Sequence, residues 1–125
     1  MAQSDDTRAK RFEYARLRAA IRLGRSALNP REMTEALIEA GAPRAAGNYY
    51  WRMETGRIGK VAPEWLDVIA RVSGVDALWL SMVRGGERFA PEGYVEWLAA
   101  ENWAAEPDRE AMGEEGKAVR RRRGA

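Results

Sequence analysis

Asn48 and Arg52 stand four residues apart in a stretch that reads as helical, so both project from one face of a helix. An amide beside a guanidinium has specific chemistry. Asn can pair bidentately with adenine and Arg with O6 and N7 of guanine, each pairing being worth about 1–3 kcal/mol of discrimination between bases. Gly47, just before them, has no side chain to hold a duplex away from the backbone. The competing reading makes Asn48 a helix cap and Arg52 a solvated charge. Arg31 begins an earlier helix, whose N-terminus itself attracts phosphate. Arg57 and Lys60 follow the Asn48/Arg52 helix and are further candidates for the DNA backbone. Tyr49, Tyr50 and Trp51 are consecutive and cannot all face a core. Tyr49 is the fourth backbone candidate, and Trp51 either packs or touches DNA.

Composition removes most alternatives. The chain has 125 residues, 46% hydrophobic and 32% charged, which suffices for one cored domain and a tail. It contains neither cysteine nor histidine. Disulfides, thiolate metal sites and Cys- or His-based catalysis are thereby excluded. The carboxylates sit in acidic helices without the spacing of a paired acid and base. An enzyme is not expected, and neither is a cofactor or a metal. No apolar run approaches the roughly 20 residues that span a bilayer. Met1–Thr7 is polar and acidic, unlike a signal peptide. The expected location is cytoplasmic, associated with the nucleoid. Residues 1–60 carry 12 Lys/Arg against 7 Asp/Glu, whereas 61–116 carry 4 against 12. The first half is suited to an anionic partner.

Periodicity and punctuation predict helices throughout and no strand. The first runs from Arg8 to Leu23, with Tyr14, Leu17 and Ile21 as its apolar stripe and Gly24 as its stop. Arg11, Arg18, Arg22 and Arg25 cluster on another side, as a phosphate-contacting ridge or a solvated face. Asn29-Pro30-Arg31-Glu32 is a capping sequence, and its helix extends to Ala40 with Met33, Leu37 and Ala40 inward. A turn at Gly41-Ala42-Pro43 precedes a third helix over Ala45–Glu54. Pro63 opens a fourth with Leu66, Ile69 and Ala70 in its core, stopped by Gly74. Asp76 caps a fifth, containing Leu78, Leu80 and Val83. Pro91 opens a sixth over Glu92–Ala105, with Tyr94, Trp97, Leu98 and Trp103 apolar. Beyond Pro107 little can be buried, and disorder is expected.

The order of these elements resembles the phage repressor and Cro family, also called the Xre type, over about Arg11 to Val83. Two short helices are joined by a turn, the second closes on Glu54-Thr55-Gly56-Arg57, and a helix with Pro63, Leu66, Ile69 and Ala70 follows, then a short one with Leu80. The resemblance implies a helix-turn-helix whose third helix enters the major groove. Counting back from Glu54, it places Gly47, Asn48 and Arg52 at base-reading positions and turns Tyr50 and Met53 inward. The turn is longer than the family's, and Ala45-Ala46 stand where the family carries Ser or Thr.

The expected architecture is all-α. It comprises a five-helix repressor-like helix-turn-helix domain over 8–84, a C-terminal helical segment over 85–106 and a disordered, basic-ended tail over 107–125. The expected function is a sequence-specific transcriptional regulator, a repressor reading a palindromic site in double-stranded DNA as a homodimer. Tyr94, Trp97, Leu98 and Trp103 are the candidate dimer contacts. Arg120–Arg123 either adds non-specific phosphate affinity or is a solvated tail. The alternative is a helical protein-interaction module, or an antitoxin-like partner, that uses the Trp/Tyr surface.

Overall fold

Thr7 starts the fold: its hydroxyl accepts from the Lys10 amide at 3.1 Å and caps helix α1 (Arg8–Arg22). A computed structural model describes residues 6–81 and 89–101, and Val83, Trp103 and the expected tail lie outside that range. The described residues are helical and include no strand. They divide into two units, of which the first is Asp6–Glu92. It holds α1, α2 (Pro30–Glu39), α3 (Tyr49–Glu54), α4 (Pro63–Ser73) and α5 (Ala77–Ser81). The second contributes α6 (94–101).

The capping sequence before α2 folds as read. The Asn29 side chain accepts from the Glu32 amide at 2.8 Å, Glu32 accepts from the Asn29 amide at 2.9 Å, and Pro30 opens the helix. Two orphan amides are thus satisfied reciprocally. Gly74, at φ 83°, ends α4 in the left-handed region, where a side chain would be strained; a Cβ there would also lie 2.5 Å from the Arg22 guanidinium. Asp76 receives the Leu78 amide at 2.8 Å and starts α5.

The core of the first unit lies among α1, α3, α4 and α5, with α2 against α3 and α4. Its α1 face differs from the expected one. Phe12, Ala15, Ala19 and Ala20 are buried together with Tyr14, whereas Leu17 and Ile21 are exposed. The alanines let neighbouring helices approach closely, so they, and not the larger leucine and isoleucine, form the contact face. Arg11 is likewise no part of a surface ridge. It is 1% exposed, forms a bidentate pair with Asp6 and donates to the Trp79 carbonyl at 2.6 Å. Other inward assignments also shift. Ala40 is exposed at the end of α2, Leu66 and Ala70 are half-buried while Trp65, Val68 and Ile69 fill the α4 face, and Trp79 replaces the exposed Leu78 in α5.

The third helix is shorter than expected, Tyr49–Glu54 in place of Ala45–Glu54. Residues 42–46 are irregular, and Pro43 among them supplies no amide. In α6, Tyr94 and Leu98 are buried, Trp97 is half-buried with its ring 6.0 Å from that of Tyr94, and Val95 is exposed.

One buried contact fixes the start of α3. The Thr34 hydroxyl accepts from the Tyr50 amide at 3.0 Å while donating to the Pro30 carbonyl at 3.1 Å. Thr34→Val keeps the shape but orphans a buried amide. It is expected to lower stability by about 1–3 kcal/mol in urea unfolding.

Candidate nucleic-acid interface

Helix α3 is held from three sides. Toward α1, the Tyr50 hydroxyl donates to the Phe12 carbonyl at 2.6 Å, the two rings meet edge to face at 6.1 Å, and Glu54 forms a bidentate pair with Arg16 at 2.6 and 2.9 Å. Toward α2, Thr34 holds the Tyr50 amide. Toward α4, the Tyr49 ring packs on Trp65 at 4.7 Å. Tyr50 and Met53 are buried, in the register expected for them. What remains is an outward edge of Asn48, Trp51, Arg52 and Thr55, all exposed. Six residues of helix could not hold such an orientation alone. The clamps supply it.

Arg16 anchors more than Glu54, since it also donates to the Leu28 carbonyl at 2.6 Å. Burial pushes the Glu54 carboxyl above its ordinary range, with the Arg16 hydrogen bond opposing that rise, and the same hydrogen bond raises the Arg16 guanidinium. Burial likewise pushes the Tyr50 phenol well up, so it serves as a neutral donor. These contacts orient a helix.

The candidate base readers fall into two environments. The Arg52 amide donates to the Asn48 carbonyl at 3.1 Å, so the two residues are one helical turn apart, although Asn48 is the residue preceding α3. Its side chain makes no capping hydrogen bond, which leaves the amide facing outward. Gly47 is placed differently from the expectation. It lies in the turn before α3, and a Cβ on it would be 2.7 Å from an Arg31 guanidinium nitrogen. Its missing side chain makes room for Arg31, which also lies 3.9 Å from Glu35. Gly47 has no left-handed backbone requirement, and the tip of Arg31 can swing away. Gly47→Ala is therefore expected to change stability by less than about 0.5 kcal/mol in urea unfolding while displacing Arg31.

The phosphate candidates surround this edge in sequence. Arg31 lies in the first turn of α2, and Arg57 and Lys60 follow α3. The loop they occupy is tied down by Arg8, which donates to the Ile58 and Gly59 carbonyls at 3.2 and 2.7 Å. Arg44, Arg52, Arg57 and Lys60 are exposed and form no ion pair among the described residues. Lys60 also borders a cavity of about 280 Å³ shared with Arg8, Phe12, Val61, Pro63, Leu66, Leu80 and Ser81. Tyr49, half-buried on Trp65, is held by packing on α4. Trp51 is 42% exposed beneath the Arg57 guanidinium, which lies 5.0 Å from the ring centre.

The sequence reading missed Arg8, Arg16 and Thr34. The Glu54-Thr55-Gly56-Arg57 segment was visible, but its acid is used on a partner 38 residues away. The described residues contain no cluster of three or more Asp/Glu that could hold a metal. No helix among them is long and apolar enough to cross a membrane. Comparison with protein-family models, curated proteins and solved structures finds no match.

Proposed function

We propose that the chain is a sequence-specific DNA-binding transcriptional regulator with a repressor-like helix-turn-helix, α2 bracing α3 against the phosphates while α3 enters the major groove. The observation that carries this reading is the one-sided clamping of α3. Three contacts fix its inner surface, and its outer edge presents an uncapped amide and an unpaired guanidinium one turn apart. A polar pair held rigidly outward suits base edges, and the exposed Arg44, Arg57 and Lys60, close to it in sequence and without an ion pair among the described residues, suit phosphates. Binding as a homodimer to a palindromic site, and repression as the outcome, belong to the same proposal. A random-oligonucleotide selection at two salt concentrations tests it. The expected product is a family of related duplexes, palindromic if two copies bind, with affinity falling steeply as salt rises.

The protein-interaction reading draws on a different observation, the exposed Leu17, Ile21 and Leu23 at the C-terminal end of α1. It requires a partner whose affinity hardly changes with salt. No enrichment in the selection, together with salt-insensitive capture of a protein, would favour it.

A further inference from the structure

The end of α3 fixes one cation more tightly than an exposed side chain needs. The Arg57 amide donates to the Arg52 carbonyl at 2.9 Å, the Gly56 amide to the Met53 carbonyl at 3.3 Å, and Gly56 is left-handed at φ 73°. This paired arrangement is a Schellman closure, which sets the Arg57 backbone in register with that of Arg52. Only the long Arg57 side chain then remains to be placed. It lies over the face of Trp51, with the guanidinium 5.0 Å from the ring centre. Trp51 is 42% exposed, and the core does not account for so large an apolar side chain on the outward edge of α3.

We infer that Trp51 is a positioning residue for DNA binding, holding the Arg57 guanidinium where it meets a duplex phosphate in register with the base contact of Arg52. The inference rests on the DNA-binding reading above. An indole face attracts a guanidinium through the ring quadrupole and restricts its rotamers without neutralising it, as a carboxylate partner would. The cation keeps its full charge for the phosphate. In this role Trp51 acts through Arg57 and makes no base contact of its own.

A double-mutant cycle on the full chain tests this with a mixed-sequence duplex about three helical turns long. Arg57→Ala is expected to reduce the slope of log affinity against log salt by about 0.9, the loss of one phosphate contact. Trp51→Leu is expected to weaken binding about two- to fivefold when Arg57 is present. It should have no effect in the Arg57→Ala background. Trp51→Phe, which keeps a π-face, should restore most of the loss, and urea unfolding midpoints should stay together across the set.

An equal loss from Trp51→Leu in both backgrounds would mean that the indole touches DNA directly and would overturn the inference. So would no loss at all, or an unchanged salt slope for Arg57→Ala. Wild-type protein without salt-dependent affinity for the duplex overturns the DNA-binding reading itself, and this inference with it.

Discussion

Arg52→Ala is expected to bind a selected duplex about ten- to a hundredfold more weakly than the wild-type chain and to lose preference at one guanine position. The reason is geometric. Arg52 is exposed, free of any ion pair among the described residues, and carried on a helix whose opposite side is fixed by Tyr50, Thr34 and Glu54. In the proposed complex its fork would be presented at a fixed position along the groove, and removing it would delete both arms of a bidentate contact. On duplexes without the selected sequence the loss should be smaller, about that of a single charge. Competition binding against base-substituted duplexes separates the two effects. A uniform loss over all sequences would make Arg52 a phosphate contact.

Arg16→Leu is expected to destabilise the protein by about 3 kcal/mol near neutral pH, because the Glu54 carboxylate would stay buried without its partner. The two side chains are 21% and 9% exposed, so solvent cannot replace the lost cation. Burial already raises the folded-state pKa of Glu54 above the ordinary carboxyl value, and losing Arg16 raises it further. A carboxyl raised on folding contributes its stability below its unfolded pKa. That contribution is lost as pH rises through the folded pKa. The deficit of Arg16→Leu should thus be smallest in mild acid and largest above the Glu54 titration. Replacing both residues with Leu should recover much of the loss, since the pair's attraction is offset by desolvation. Urea unfolding across this pH range checks both statements. A deficit that widens in acid would contradict them.

Helix boundaries were legible wherever the chemistry that sets them is local. Asn29, Pro30 and Glu32 act within one turn of each other, and Gly74 and Asp76 act on amides or carbonyls a few residues away. The buried face of α1 was not legible, because that helix carries two apolar stripes. Size favours Leu17 and Ile21, whereas packing against the neighbouring helices buries Ala15 and Ala19. The start of α3 was misplaced for a related reason. Ala45 and Ala46 have high helix propensity, but a tertiary contact overrides it: the Thr34 hydroxyl takes the Tyr50 amide, which an earlier helix start would have turned to the Ala46 carbonyl.

The site divides along the same line. Asn48 and Arg52 could be paired from their spacing, and the structure leaves both outward. Gly47 could be singled out, but its neighbour Arg31 comes from another helix. Arg11 could not be separated from Arg18 and Arg22, since its burial depends on the Trp79 carbonyl, 68 residues away. The residues that orient α3, namely Arg16 and Thr34, act across 38 and 16 residues, beyond any local motif.

Methylation interference on a duplex recovered by selection tests the placement of α3 most directly. Guanine N7 lies in the major groove and adenine N3 in the minor groove, so the two modifications report on different faces of the same site. Binding is predicted to fail when guanine N7 is methylated at the position for which Arg52→Ala loses preference, and to survive methylation of adenine N3 at neighbouring pairs. Blockage by adenine N3 methylation alone, with N7 methylation tolerated throughout the site, would contradict a major-groove role for this helix.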